Sequence, residues 1–371
     1  MGVLWPLEPA TAAKHRLYKR YFDAWWPVLL QPARSGFRRP KVTLLDAFAG
    51  PGRYEGGEEG SPVFTLDRLL HHTARDRMRL SRDRVQLIFV EKDRARYKHL
   101  LGELESRFGS LESLPVRVEV RHGEAGRDSG ALLTELNAWG HPILAIFDSW
   151  GNVNVPLTLM RQIAQNPSSE VITTFGPNWF SRRDQLDSDV LDAVFGGREH
   201  WTPAEAEQRP DERWRVWLHT YRESLHRAGF PYRLQFEVVP KTGQPLYLVF
   251  GTGHEKGVDA MKDAMWDVDG DDGMAFRDPR TRKAVAEGQQ PLWGPVGEID
   301  PELRELVMQR LAQGETTLEQ LGRWLLRETA RWRVRDARKS VQSLKDEGLV
   351  AIAGSGRLTA QTVVRPRRRR S

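Results

Sequence analysis

The chain has 371 residues, no cysteine, and 56 Lys and Arg against 50 Asp and Glu, for a net charge of +6. This length predicts two domains, or one large domain with an appendage. The lack of cysteine excludes disulfides, thiolate zinc sites and cysteine nucleophiles. The mean hydropathy is −0.56. No apolar run reaches the length of a membrane span, and the N-terminus lacks the apolar core of a signal peptide, so we expect a cytoplasmic protein with no membrane segment.

The positive charge is concentrated near the C-terminus. Residues 300–371 contain 16 Lys and Arg against 9 Asp and Glu, whereas residues 1–299 contain 40 against 41. A basic module joined to a nearly neutral body predicts that the module, rather than the body, contacts an anionic polymer such as DNA or RNA.

The first elements in chain order are a helix, a strand and a glycine-rich loop. Apolar residues at helical spacing predict an amphipathic helix over Lys14–Leu30. The apolar run Val42–Leu45 leads to Asp46, and a helix is predicted over Pro62–His71. The loop between them contains Ala-Gly-Pro-Gly at residues 49–52, whose glycines let the main chain approach a ligand closely. The loop matches neither of the common phosphate-binding motifs G-x-G-x-x-G and G-x-x-x-x-G-K-[ST].

The motif DAFAGPG, residues 46–52, resembles the first motif of class I S-adenosylmethionine-dependent methyltransferases. The longer block DAFAGPGRYEGGEEGSP is similar to the signature of the three-Cys-motif partner (TcmP) proteins. The resemblance implies S-adenosylmethionine as cofactor and association with a three-Cys-motif protein. It also implies a cofactor loop made by Asp46, Phe48, Gly50 and Gly52. The alternative is a glycine-rich turn in some other α/β protein.

Two further acidic residues are candidates for this cofactor. The apolar strand Val85–Val90 ends at Glu91, where a carboxylate can accept hydrogen bonds from both hydroxyls of a ribose. An acid there can instead cap the next helix. Glu124 follows a third predicted strand, Val116–Val120, at the place where the resembled fold contacts adenine. It can equally be an ordinary exposed acid.

The fourth strand, Ile143–Phe147, ends in the tetrad Asp-Ser-Trp-Gly at residues 148–151. Amino-group methyltransferases of nucleic acids have a tetrad similar to D/N-P-P-Y there, and the TcmP proteins have D-P-F-G. The resemblance makes Asp148 the acceptor for a target amine and Trp150 a platform for a planar substrate. This chain has Ser149 in place of proline, which puts the rigidity of the loop in doubt. The alternative makes Asp148 a helix cap and Trp150 a core residue.

Later elements complete the predicted fold. Residues 176–183 follow strand Glu170–Phe175 and are predicted to be either a base-stacking segment or a lid. Two apolar runs, Tyr232–Val239 and Leu246–Phe250, flank a four-residue turn and predict a β-hairpin. Such a hairpin ends the sheet of the class I methyltransferase fold. We therefore expect a Rossmann-like α/β domain, followed by a winged-helix-like α+β domain.

The expected domains are 14–251 (methyltransferase-like), 252–298 (extension and linker), 299–363 (winged-helix-like) and 364–371 (basic disordered tail). The winged-helix prediction depends on three helical patterns and a short hairpin. The helical patterns are Glu302–Ala312, Leu318–Arg327 and Val334–Glu347. The hairpin contains Leu349–Ile352 and Arg357–Thr359. The third helix of such a module enters the major groove of DNA. Some winged helices instead bind protein partners.

The predicted nucleic-acid contacts are Arg335, Arg338 and Lys339 on the third helix and Arg367 and Arg368 in the tail. The acidic cluster at residues 269–272 is too short to predict a metal site. The expected function is methyl transfer to a nucleic-acid base nitrogen. The alternative is a non-catalytic adaptor that recruits a three-Cys-motif protein to nucleic acid. The sequence leaves the oligomeric state open.

Overall fold

The protein forms two compact units, Met1–Lys283 and Ala284–Ser371. In this computed structural model, residues 2–367 are described except 34, 153, 182–186, 271–272, 279, 281–299 and 354–356. Most of the predicted linker, and Arg368 with the rest of the C-terminus, therefore lie outside the described residues.

The first unit is built on an eight-stranded sheet of order β3-β2-β1-β4-β5-β7-β6-β8. Its strands are β1 (Val42–Asp46), β2 (Val85–Glu91), β3 (Arg117–His122), β4 (Ile143–Gly151), β5 (Glu170–Phe175), β6 (Tyr232–Val239), β7 (Leu246–Thr252) and β8 (Ala275–Arg277). Strands β1 to β5 are parallel, and β7 lies antiparallel between β5 and β6. This order confirms the predicted Rossmann-like α/β fold and its terminal hairpin.

The helices of this unit are α1 (Pro9–Leu30), α2 (Ser61–Leu70), α3 (Arg75–Met78), α4 (Arg94–Phe108), α5 (Ala125–Glu135), α6 (Leu157–Ala164), α7 (Pro177–Ser181), α8 (Ser188–Phe195), α9 (Arg198–Ala206), α10 (Pro210–Ala228) and α11 (Glu255–Val268). Both faces of the central strands are covered, so the sequences of these strands are continuous apolar runs rather than alternations of apolar and polar residues. All five residues of β1 and all seven of β2 are buried.

The first helix packs against elements from both ends of the unit. It begins at Pro9, five residues before the predicted start, and contacts both α2 and α11. Its Tyr21 ring lies 5.3 Å from that of Phe250 on β7, measured between centroids. Its thirteen buried residues explain why the amphipathic pattern extends over the whole helix.

The predicted extension contributes directly to this unit. Helix α11 packs on α1, and β8 pairs in parallel with β6 to become the eighth strand. The first unit therefore continues past the predicted boundary at residue 251. The recognisable sequence pattern ends with the hairpin, because a three-residue strand such as β8 is too short to give a detectable pattern.

In its described residues, the second unit contains three helices and a small antiparallel sheet. The helices are α12 (Pro301–Ala312), α13 (Leu318–Glu328) and α14 (Val334–Asp346), and the strands are β9 (Thr316–Thr317), β10 (Val350–Ile352) and β11 (Val363–Pro366). The sheet order is β10-β11-β9. A Thr317 and Gln320 capping box starts α13, because each side chain bonds the backbone N–H of the other.

The structure corrects the predicted end of this unit. The returning strand is Val363–Pro366 rather than Arg357–Thr359, and the predicted disordered tail at 364–371 begins inside that strand. The backbone N–H of Arg367 also donates to the Leu349 carbonyl at 2.9 Å. The buried residue that fixes the strand is Val364, which is 0% exposed. The neighbouring arginines gave this segment the composition of a solvated tail.

Candidate functional site

The candidate site lies in the crevice between β1 and β4 at the carboxyl edge of the sheet. Both neighbours of β1 in the sheet are parallel to it, and the strand order reverses between β1 and β4. In open α/β sheets, such a switch point is where ligands bind. A cavity of about 60 Å³ lies there. It is lined by six of the predicted site residues: Asp46, Phe48, Gly50, Gly52, Asp148 and Trp150.

Asp46 is a buried carboxylate at the end of β1. One of its oxygens accepts a hydrogen bond from the Ser61 hydroxyl at 2.6 Å, and the other accepts from the Phe48 backbone N–H at 3.2 Å. Burial raises the pKa of Asp46 to about 6, despite these two bonds. Because a carboxylate has about four acceptor positions, two remain for a ligand.

The glycine loop has a backbone that requires glycine. Gly50 and Gly52 have φ angles of +67° and +85°, in the left-handed region. A Cβ on Gly52 would lie 2.9 Å from Leu100 of α4 and would force the loop away from that helix. These glycines thus allow left-handed dihedrals and close packing on α4, whereas their predicted close approach to a ligand stays a prediction.

Glu91 lies next to this loop without lining the cavity. Its carboxylate accepts hydrogen bonds from the Gly50 N–H at 2.9 Å and from the Asp93 N–H at 2.8 Å. The helix cap is Asp93, which accepts from the Arg96 N–H at 2.9 Å. In this structure Glu91 holds the glycine loop, and its predicted contact with ribose stays a prediction.

Glu124 is separate from the cavity. It precedes α5, and its carboxylate pairs with Lys92 at 2.8 Å on the protein surface. The structure therefore does not bring Glu124 together with Asp46 and the glycine loop. Its role towards adenine stays a prediction.

Asp148 is held by three donors that surround its carboxylate. Lys14 Nζ bonds Oδ1 at 2.6 Å and Oδ2 at 2.7 Å, Thr174 donates to Oδ1 at 2.5 Å, and Tyr18 donates to Oδ2 at 3.0 Å. Burial would raise the pKa of Asp148, but the Lys14 ammonium and the hydrogen bonds outweigh it and lower the pKa. The four contacts use about all the acceptor positions of this carboxylate. Asp148 lies within β4 and does not cap a helix.

Trp150 presents its ring beside this ion pair. It is 47% exposed, so it is a surface residue rather than a core residue. The Lys14 ammonium lies 4.7 Å from the centre of its ring, within range of a cation–π interaction. Its φ of +57° is unusual for a non-glycine residue. Ser149, the preceding residue, has no fixed φ, and the backbone turns sharply at the tryptophan.

Sequence reasoning missed the contribution of α1 to the site. Lys14 is 2% exposed and His15 is 9% exposed, although both residue types usually lie at the surface. Burial lowers the pKa of His15 to about 3, so this ring is neutral beside the Tyr54 hydroxyl, at 3.3 Å. The signal was present: Lys14, Tyr18 and Tyr21 recur at helical spacing on the apolar stripe.

The N-terminal segment, residues 2–8, covers the glycine loop. The Trp5 carbonyl accepts from the Glu55 N–H at 3.0 Å, and a Cβ on Gly50 would lie 3.8 Å from the Trp5 ring. The ring also contacts Tyr54 edge-on at 5.9 Å and lies 4.7 Å from the Arg96 guanidinium. This cover explains why the cavity is small. Pockets for drug-sized ligands are about 300–1,000 Å³, so a nucleoside-sized ligand needs a wider crevice than this one.

The predicted nucleic-acid residues lie on the second unit. Arg335, Arg338 and Lys339 are exposed on α14. Arg367 is exposed and follows β11, and Arg368 lies outside the described residues. The structure therefore gathers three of the five predicted residues on one helix.

Two further features of the described residues concern metal binding and membrane spans. They contain no cluster of three or more His, Asp or Glu side chains that could hold a metal ion. Each described helix is too short or too polar to span a bilayer.

No protein-family model matches the sequence, and no curated protein is similar to it. Solved structures that resemble the chain include EvdMO1 (13% identity, 60% of this chain, 38% of that chain, TM-score 0.31). The N-terminal domain of EvdMO1 with SAH bound has 14% identity, covers 67% of this chain and 83% of that chain, and has a TM-score of 0.33. A SAM-dependent methyltransferase from Aquifex aeolicus has 14% identity, covers 57% of this chain and 84% of that chain, and has a TM-score of 0.28. The chain thus spans 38% of the length of EvdMO1. Likenesses this distant identify neither the family nor the activity of the chain.

Proposed function

We propose that the protein is an S-adenosylmethionine-dependent methyltransferase whose cofactor binds in the crevice between β1 and β4. The observation that carries this proposal is the position of Asp46. Its buried carboxylate has two acceptor positions left and lies beside the left-handed glycine loop. Both are at the switch point of the sheet, where ligands bind in open α/β folds. A buried carboxylate suits the ammonium of the methionine end. The sequence resemblance of residues 46–62 supports the same cofactor.

Each predicted cofactor residue has a proposed task. Asp46 binds the ammonium, and Phe48, Gly50 and Gly52 form the wall against which the cofactor lies. Glu91 binds the ribose hydroxyls through the acceptor position left on each oxygen. Glu124 binds the adenine amine after its ion pair with Lys92 breaks. The bound cofactor supplies an electrophilic methyl group.

The proposed acceptor is a nitrogen on a nucleic-acid base. The exposed ring of Trp150 offers a stacking surface for a base next to the cofactor crevice. Asp148 accepts a hydrogen bond from the target amine in place of the bond from Tyr18, the longest of its four contacts at 3.0 Å. Catalysis is then mainly orientation of the amine towards the methyl group.

The second unit is the proposed recruiting module. Its element order, with a strand between the first and second helices and a returning pair after the third, supports a winged helix. Exposed cations on α14 and at Arg367 support contact with DNA or RNA phosphates, and Arg368 adds a further positive charge in the sequence. The resemblance supports a three-Cys-motif protein as the partner, and the lack of cysteine supports the cytoplasm as the location.

Calorimetric titration with S-adenosylmethionine and S-adenosylhomocysteine tests the cofactor site. We expect saturable binding that Asp46→Asn weakens by about 10- to 100-fold, because a hydrogen bond to a charged group contributes about 1.5–3 kcal/mol. Asp67→Asn is the matched control, since Asp67 lies on α2 outside the cavity. Equal affinity of the two variants, or no binding by the native protein, would refute the proposal.

One observation favours an adaptor without catalysis as the second candidate. The acceptor positions of Asp148 are all engaged, so a target amine must displace a bond that the structure already makes. An adaptor would bind the cofactor yet transfer no labelled methyl group to DNA or RNA, even with its partner present. Methyl transfer that Asp148→Asn abolishes, with cofactor affinity kept within a few-fold, would exclude the adaptor.

A further inference from the structure

A second, larger cavity of about 390 Å³ lies at the opposite edge of the sheet from the glycine loop. Glu170, the first residue of β5, lines it, whereas Asp46 is the last residue of the parallel strand β1. Its walls come from the second half of α1, residues 31–39 and the first two turns of α11. No residue lines both this cavity and the candidate cofactor crevice. Its volume lies within the range of about 300–1,000 Å³ that is usual for small-molecule sites.

The cavity has an apolar wall. Trp25 and Leu29 of α1 form the buried part of this wall. Val28 and Phe37 line the rim, where they are 51% and 60% exposed. Large apolar side chains that stay in contact with water around a cavity are typical of a binding groove. The wall therefore favours a ligand with an apolar body.

The carboxyl of Glu170 also belongs to this wall, but it is already engaged. It is buried and accepts hydrogen bonds from the Tyr21 hydroxyl and, at 2.8 Å, from the Thr252 hydroxyl. A Cβ at Gly257 would lie 2.1 Å from Glu170 Oε1, so the backbone of α11 approaches the carboxyl closely as well. Burial raises the pKa of Glu170 to about 7, so this group carries less than a full negative charge at neutral pH. Its charge therefore opposes an anion at the rim only weakly.

The rim of the cavity is positively charged. Arg39 and Lys256 line it, and neither forms an ion pair with a carboxylate of the described residues. The Arg39 guanidinium donates to the Ser168 hydroxyl at 2.8 Å, which fixes its position. Burial lowers the pKa of Arg39, because no neighbouring acid compensates for the desolvation of its charge. An anionic ligand would stabilise this half-buried guanidinium, which has no counter-ion.

We propose that this cavity binds a small amphipathic anion. Its carboxylate or phosphate group pairs with Arg39 and Lys256, and its apolar body lies between α1 and the Phe37 ring. Guanidinium and ammonium groups bind both kinds of anion. A cationic ligand would be repelled at the rim, and an anion without an apolar body would leave the apolar wall in water. This site is independent of the proposed methyl transfer, because the two cavities share no lining residue.

Calorimetric titration of the full chain with octanoate, octyl phosphate and octylamine tests the proposal. The two anions have the same apolar body, so the tighter of them identifies the preferred anionic group. We expect that anion to bind with a Kd below about 1 mM and about tenfold or more tightly than octylamine, whose charge is opposite. Acetate and inorganic phosphate, which lack the apolar body, should bind about tenfold or more weakly than the matching octyl compound.

Two results of this titration would overturn the proposal. One is a Kd above about 1 mM for both octyl anions. The other is an affinity for octylamine, or for the anion without its apolar body, that equals the affinity of the octyl anion.

Charge variants locate the anionic group. Arg39→Gln and Lys256→Gln should each weaken binding of the tighter octyl anion about tenfold, because each removes one charged partner. Lys256 is exposed, so its variant tests the site even if the Arg39 variant does not fold. Lys241→Gln is the matched control, because Lys241 pairs with Glu8 away from this cavity. Affinity that neither Arg39→Gln nor Lys256→Gln changes would show that the anion binds elsewhere.

A space-filling variant separates the cavity from the charged surface around it. Ala260 is half-buried on α11 and lines the cavity. Ala260→Phe would fill part of the space for the apolar body while leaving both cations in place, so it should weaken the octyl anion about tenfold or more. Ala131→Phe is the control, because Ala131 is exposed on α5 outside the cavity. Full affinity in Ala260→Phe would show that surface charge alone binds the anion and would overturn the proposal.

Discussion

At the scale of single residues, the contact that most defines the candidate site is the Lys14–Asp148 ion pair. The Lys14 side chain is 2% exposed and that of Asp148 is 18% exposed, so water screens this pair poorly. A buried pair does not necessarily stabilise a fold relative to apolar residues, but removal of one partner leaves an unpaired charge. The pair therefore makes the position of each group depend on the other.

We expect Lys14→Met to lower the free energy of unfolding by about 3–5 kcal/mol at pH 7, because Asp148 would stay buried without its counter-ion. The double variant Lys14→Met with Asp148→Asn should recover most of this loss. Urea denaturation measures both effects. Lys92→Met, which breaks the exposed pair with Glu124, should cost less than about 1 kcal/mol. A similar cost for the two lysine variants would show that burial does not strengthen the Lys14 contact.

At the scale of elements, the N-terminal segment lies over the glycine loop of the candidate site. The segment is anchored by the Trp5 carbonyl to Glu55 and by the Glu8 carboxylate to Lys241, at 3.2 Å, and to Arg280. It therefore contacts both the loop and the region after the terminal hairpin. Binding that requires such a segment to move is slower than binding to an open crevice.

Trp5→Ala should increase the association rate of S-adenosylmethionine by about threefold or more, because the indole no longer covers Gly50. Stopped-flow fluorescence measures this rate. Trp179→Ala is the control, since Trp179 is 43% exposed on α7 and does not line the crevice. An unchanged association rate with weaker affinity would mean that Trp5 is part of the binding surface and not a cover.

At the scale of the whole molecule, the two compact units differ in charge as well as in fold. Residues 300–371 carry a net charge of +7. Deletion of these residues should weaken binding to a DNA duplex or RNA by about tenfold or more, because phosphate contacts dominate such affinity. Cofactor affinity should stay within a few-fold. Fluorescence anisotropy and calorimetry measure the two properties, and equal loss of both would show that the units are not independent.

The sequence predicted well those features that depend on local patterns. The strands β1, β2 and β5, the terminal hairpin and the left-handed glycine loop follow from apolar runs and backbone requirements that neighbouring residues reveal. It did not predict the burial of Lys14 against Asp148, because the two residues are separated by 134 positions and meet only in the folded sheet. It also missed the role of Val364, since one buried residue among arginines gives almost no pattern.

The packing of α1 against α11 has a consequence for protein synthesis. The first helix is complete at Leu30, but its partner helix begins only at Glu255. At about 5–20 residues per second, the ribosome needs roughly 10–45 s to make the chain between them. Until then, the apolar stripe of α1 has no α11 to cover it. The nascent chain should therefore depend on chaperones during this interval.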